Sequence, residues 1–235
     1  MNDDLEPRAR VLAIGAHPDD IEFGCGATLA KWARAGSHVE MLVLTDGSKG
    51  TWEPEQDLAT LVATRRDEQR AAARTLGARE VHFLDAVDGE LDAGATWREQ
   101  VCAAIRASRA DVVLGHDPWK QYRLHPDHRH AGQLVIDGIV AARDPHFFPA
   151  AGTPHRPSTL LLFEAQVVDH VEAVGEEDIQ AKIEALLCHH SQWRSTMAIE
   201  AGAPEEHEQS AAFAAKIRSE ITRAGGEEFK LITEL

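Results

Sequence analysis

The feature that most constrains this chain is a repeated change of hydrophobic period. Short apolar runs stand at 10–15, 39–45, 81–84 and 111–115, with a later one at 160–163. Between them lie longer stretches, about 24–35, 58–76, 97–108 and 129–142, rich in Ala, Arg, Glu and Leu and patterned as amphipathic helices. Strands separated by helices of that length pair in parallel through right-handed crossovers, which puts helices on both faces of the sheet. The expectation is an α/β fold, a single-domain Rossmann-like parallel sheet flanked by helices on both faces. Two more helical stretches follow, about 176–190 and 208–224. No compositional break divides the chain, so 1–235 reads as one domain, with a core of about 10–195 and a helical extension of about 196–235. The longest irregular stretches are 46–57, 115–127 and 144–157. The first two leave the ends of strands, where α/β sheets bind ligands, and 49–57 and 115–127 are candidate lids.

Composition narrows the function class. The 24 basic and 39 acidic residues leave a formal charge of −15, which argues against nucleic acid or an anionic membrane as partner. Cys25, Cys102 and Cys188 are odd in number and lack a Cys-x-x-Cys spacing, so reduced thiols fit better than a disulfide scaffold or thiolate zinc site. The acidic N-terminus has no apolar signal-peptide core, and no uncharged apolar run approaches about 18 residues, so neither a signal peptide nor a transmembrane helix is expected. These readings point to a cytoplasmic protein acting on a small molecule, with homo-oligomerisation left open.

One three-residue word occurs twice: His17-Pro18-Asp19, extended by Asp20, and His125-Pro126-Asp127, extended by His128. This composition predicts far less than one copy. The first follows the apolar run ending at Gly15, and the second lies beyond the run ending at Gly115. Strand ends carrying His and Asp can build a His/His/carboxylate metal site with an open position, a pattern that suits a hydrolase. Gly24-Cys25-Gly26 invites a dinucleotide reading but fails it. Leu29 stands where a third glycine is needed, and bulky His17–Asp20 fills the turn where pyrophosphate would sit. The glycines read instead as opening a helix. His82-Phe83-Leu84-Asp85 reads as structural.

The chain resembles the PIG-L/LmbE-like N-acetylglucosaminyl deacetylases, zinc hydrolases with a Rossmann-like sheet. The matching segments are Ala16-His-Pro-Asp-Asp20, Leu44-Thr-Asp-Gly47 with Gly50-Thr51, Arg65-x-x-Glu68 running into Leu76-Gly77, and Gly115-His-Asp-Pro118 with His125-Pro-Asp-His128. Lys182, Ala185-Leu186 and His189-x-Ser191-Gln192 complete the match. Ser48-Lys49 departs from the sugar-thiol members, many of which carry Glu after the matching glycine; this leaves substrate identity open.

The resemblance implies one Zn²⁺ per chain on His17, Asp20 and His128, activating a bound water for attack on an N-acetyl group of an N-acetylglucosamine-type conjugate. It implies Asp19 as general base and His125, as imidazolium, as oxyanion partner, oriented by Asp127. It places Arg65 on sugar hydroxyls, while Asp117, Trp119 and Arg123 are candidates to line the sugar site. His116 and His130 read as supporting or surface residues, Trp52 as a lid residue or loop anchor, and Cys188-His189-His190 as packing. Rival readings are an amidase on a sugar-thiol conjugate, a non-catalytic sugar- or nucleotide-binding module with structural zinc, and a metal-dependent phosphoesterase.

Overall fold

The computed structural model describes Leu5 and residues 9–235. The acidic N-terminal stretch read from the sequence therefore lies, Leu5 apart, outside the described residues. Strands β1 (Arg10–Gly15), β2 (His38–Thr45), β3 (Glu80–Ala86), β4 (Val112–His116) and β5 (Thr159–Phe163) alternate with helices α1 (Asp20–Arg34), α2 (Leu58–Thr75), α3 (Ala95–Ser108) and α4 (Pro126–Arg143). Strand β6 (His170–Glu172), helices α5 (Glu176–Leu187) and α6 (Glu206–Ala224), and strand β7 (Glu227–Ile232) complete the chain.

The sheet order is β3-β2-β1-β4-β5-β7-β6. The first five strands pair in parallel, and β7 inserts antiparallel between β5 and β6. The expected parallel sheet is present, and the stretch read as a helical extension supplies one further strand beside α6. Alternate strand residues feed opposite faces, as the period of two requires. Leu12, Ile14, Leu42, Leu44 and Val113 pack with α3 and α4. Val11, Ala13, Met41, Val43 and Leu114 pack with α1, α2 and α5. Outside α1, Ile183 and Leu186 of α5 meet Phe213, Ile217 and Ile221 of α6.

Helix α1 begins at Asp20, ahead of Gly24 and Gly26, so the glycines do not open it. It is broken at Cys25, whose φ is −152°. A Cβ on Gly24 would lie 2.4 Å from the Phe163 ring; its glycine lets helix and sheet approach. The second half of α1 gains its own N-terminal acceptor, because the Glu227 carboxylate receives the N–H groups of Ala27 (3.1 Å) and Thr28 (2.7 Å). Lys182 of α5 neutralises that buried carboxylate at 2.6 Å. The irregular stretch 144–157 is stitched down by Arg106, which donates to the carbonyls of Ala141, Asp144 and Phe147 at 2.8–2.9 Å.

Candidate metal centre

Strand order reverses between β1 and β4, and both His-Pro-Asp words stand at the carboxyl side of that switch point. The chain leaves β1 at Gly15 and turns sharply, placing Asp19 in the left-handed region at φ 102°. Two contacts hold it there: the Asp19 N–H donates to Gln69 Oε1 (3.0 Å), and Arg65 donates to the Pro18 carbonyl (2.7 Å). The turn also folds Asp20 back, so that its Oδ2 accepts the His17 N–H at 2.7 Å. At the second word, His125 caps α4, its Nδ1 accepting the Asp127 N–H at 3.3 Å, with Pro126 in the first turn.

These turns converge. His17 Nδ1 lies 3.2 Å from His128 Nε2 and 3.3 Å from Asp20 Oδ2, and His128 Nε2 lies 3.3 Å from Asp20 Oδ1. A tetrahedral ion bound at about 2.0–2.1 Å would set its ligands about 3.3–3.4 Å apart, so the donor set fits a divalent metal. His125 brings a third imidazole within 4.8 Å of His17 and His128. His116 supports Asp20 from behind at 3.2 Å and stacks on His128, with centroids 4.5 Å apart. His130 instead binds the Leu91 carbonyl.

Electrostatics follow from this crowding. Burial would lower the His17 pKa, but Asp127, Asp20 and Asp88 outweigh it and raise it well above the ordinary value. Burial would raise Asp20, yet His116 and His128 hold it well below the usual carboxylate range. Asp19, 3.6 Å from Arg65, is pushed up by burial to about 6.

Several expected contacts differ. Asp127 does not orient His125: its Oδ2 accepts from Gly89 N–H (2.6 Å) and faces His17 Nε2 (3.1 Å). Burial, then His17 and His128, lower the His125 pKa from its ordinary value, against the opposing pull of Asp127 and Asp88. With Nδ1 accepting the Asp127 N–H, a neutral ring would carry its proton on Nε2. Asp117 is spent on the N–H groups of Trp119 (2.9 Å) and Gln166 (2.7 Å), tying two loops together. Trp119 is 61% exposed and outside the cavity lining. Arg123 sits behind His128, 3.2 Å from its Nδ1, and pairs with Glu164 at 2.5 Å. Arg65 lines the cavity, but it is buried and already donates to the Gly47 and Pro18 carbonyls. Trp52 is exposed on a separate small cavity. His189 is fully buried against Glu22 at 3.6 Å.

The cluster floors a cavity of about 530 Å³. Residues absent from the expected site also line it. Asp88 lies 3.2 Å from His17 Nε2; Gln192 donates to the Gly50 carbonyl at 3.0 Å; and Phe23, Phe213 and Ile217 form an apolar wall. The one sequence trace of Asp88 was its place in an Asp-Gly pair just past a strand.

Fold and site together define an open α/β protein with a His/Asp donor cluster at its switch point. The chain belongs to the PIG-L family: the model described as GlcNAc-PI de-N-acetylase matches residues 12–139. It is similar to a diacetylchitobiose deacetylase of Thermococcus kodakarensis, 36% identical over 173 residues, covering 67% of this chain and 65% of that protein. A 1D-myo-inositol 2-acetamido-2-deoxy-alpha-D-glucopyranoside deacetylase of Streptomyces avermitilis is 33% identical, covering 63% and 58%. Both matches thus span less than two thirds of the relatives' length. Among solved structures, the N,N'-diacetylchitobiose deacetylase of Pyrococcus horikoshii superposes with a TM-score of 0.82 at 26% identity, covering 96% of this chain and 84% of that one.

Proposed function

We propose that this chain is a metal-dependent N-deacetylase of an N-acetylated hexosamine conjugate, most consistent with one Zn²⁺ on His17, Asp20 and His128. The observation that carries the reading is the 3.2–3.3 Å spacing of those three donors on the floor of an open cavity. The family match and the deacetylase names of its relatives support the same reaction class.

A cation held there would supply Lewis-acid polarisation and lower the pKa of water. The chain's own groups supply the rest. Asp19, held rigidly by Gln69 and poised near neutrality, takes the proton released as water attacks the acetamide carbon. His125 offers its Nε2–H to the developing oxyanion as a neutral donor. Asp127 and Asp88 receive the proton on His17 Nε2, leaving Nδ1 free as a donor to metal. Arg65 shapes the loop floor through the carbonyls of Pro18 and Gly47 and does not need to touch sugar. The polar-floored cavity fits a small-molecule substrate, and no described helix is long and apolar enough to cross a membrane.

The extra carboxylates around His17 could suggest a two-metal phosphoesterase. One oxygen of each is already engaged, however: Asp127 Oδ2 by Gly89 N–H and Asp88 Oδ2 by Lys49 N–H at 3.0 Å. They serve better as acceptors for one imidazole than as a second metal shell. The test is acetate release from a panel of N-acetylated sugar conjugates, alongside metal analysis of purified protein. About one divalent ion per chain is expected, and His128→Ala should lose most of it. Full metal retention in that variant would overturn the ligand set.

A further inference from the structure

Behind the turn that carries Asp19 lie three polar side chains on residues without exposed surface: Gln69 of α2, Glu22 of α1 and His189 just past α5. Polar groups so deeply buried are costly unless each is paired, and here they face one another. Gln69 Oε1 accepts the Asp19 N–H at 3.0 Å, and Gln69 Nε2 donates to Glu22 Oε1 at 2.5 Å. Glu22 Oε2 faces His189 Nε2 at 3.6 Å, and neither of these two atoms has a hydrogen bond to another described residue.

The His189 ring is delivered by an anchored turn. Ser191 donates its N–H and its hydroxyl to the two Glu68 oxygens at 2.8 and 2.6 Å, which fixes the turn to α2 one residue before Gln69. Burial would lower the His189 pKa, but Glu22, Asp19 and Glu68 raise it above its ordinary value. That favours the ring form that donates at both nitrogens.

The direction of this chain matters for Asp19. A side-chain amide has two ends of nearly equal shape. Turned about, Gln69 would set its NH2 against the Asp19 N–H and its oxygen against a carboxylate. The Glu22 acceptor opposes that orientation. It thereby keeps an acceptor under the Asp19 N–H, in a turn whose left-handed φ of 102° a non-glycine residue adopts only when its surroundings impose it.

We propose that Glu22 and His189 are positioning residues for Asp19. His189 seats the Glu22 carboxylate, the carboxylate orients the Gln69 amide, and the amide holds the turn that aims Asp19 away from the metal donors. His189 therefore does more than pack. The inference rests on the reading of Asp19 as general base and assigns what holds that base in place.

The experiment reverses the chain and then restores it in the full-length, metal-loaded protein. Gln69→Glu alone sets two carboxylates in contact. It should cut kcat for acetate release by about 10²-fold, the loss expected for a group displaced by about 1 Å, with KM and metal content unchanged. Adding Glu22→Gln returns a donor to face position 69, which still accepts the Asp19 N–H, and should recover kcat by about tenfold or more. His189→Leu should lower kcat by about tenfold, whereas His189→Gln, which keeps a donor, should retain most of it. Hydrogen exchange of the Asp19 N–H, followed by NMR, reads the same chain without turnover. Exchange should quicken by about tenfold in Gln69→Glu and slow again in the double variant. Losses of kcat that simply add in the double variant, or exchange that Gln69→Glu leaves unmoved, would overturn the proposal. Should Asp19→Asn prove as active as the wild type, the general-base reading fails, and the exchange rates alone decide whether the chain holds the turn.

Discussion

At the scale of single residues, adjacent Asp19 and Asp20 take different work from one turn. The left-handed backbone at Asp19 costs a non-glycine residue on the order of 1–3 kcal/mol, and it turns the two carboxylates apart. Asp20 is folded onto the two histidines, whereas Asp19 is left beside Arg65 with its pKa near 6. Asp19→Asn should therefore retain metal while acetate release falls on the order of 10²–10⁴-fold, the range for a lost general base. Loss of metal by this variant would show that the two aspartates' roles had been exchanged. His125→Ala should cut turnover by roughly 10²–10³-fold with metal content unchanged. It also removes the α4 cap, so its melting temperature should drop, by an amount corresponding to about 1 kcal/mol. A variant that loses its metal instead would make His125 a ligand.

At the scale of elements, the edge of the sheet depends on buried carboxylates that bind several partners at once. Glu172 of β6 receives Lys31 Nζ (2.8 Å), Trp32 Nε1 (3.2 Å) and the Leu5 N–H (3.2 Å), and it meets His170 Nε2 at 3.1 Å. Burial would raise its pKa, but His170 and Lys31 outweigh this and hold it below the ordinary 4.5. A carboxylate depressed in the folded state stabilises at pH above its unfolded value. That stability is lost as pH falls below 4.5 and through the folded value. Glu172→Gln should destabilise the protein at pH 7 by about 1.5–3 kcal/mol, and the gap to wild type should narrow in denaturant titrations at pH 4 and below. A gap independent of pH would mean the carboxylate's charge contributes nothing. In α1, Gly24→Ala would push a methyl into Phe163, and a cost of about 1–3 kcal/mol in thermal unfolding is expected.

At the scale of the whole molecule, the centre draws its donors from turns that the sheet brings together over more than 100 residues of sequence. His17 and His128 are neighbours only because β1 and β4 are paired. An ion bound across that junction stabilises the native state by mass action, whereas an unfolded chain scatters the ligands. Chelation should therefore lower the melting temperature of the wild type, and His128→Ala should be insensitive to it. Equal shifts in both would place the metal elsewhere.

What the sequence determined by itself was local. Five strands and six helices were legible because their periods of two and 3.6 are written in consecutive residues. The two His-Pro-Asp words were legible because a rare combination needs no fold to be noticed. Strand β7 was not, since Glu227 occupies an inward position where alternation calls for an apolar residue; only Lys182 and the broken α1 make that charge tolerable. Tertiary structure alone decided that Asp127 serves His17, that Asp88 joins it, and that Asp117, Trp119 and Arg123 stand outside the cavity lining while Phe213 and Ile217 form part of it. The physical reason is one of direction. A side chain's type and neighbours follow from the sequence, but the atom it faces is set by turns and packing that bring distant segments within about 3 Å of one another.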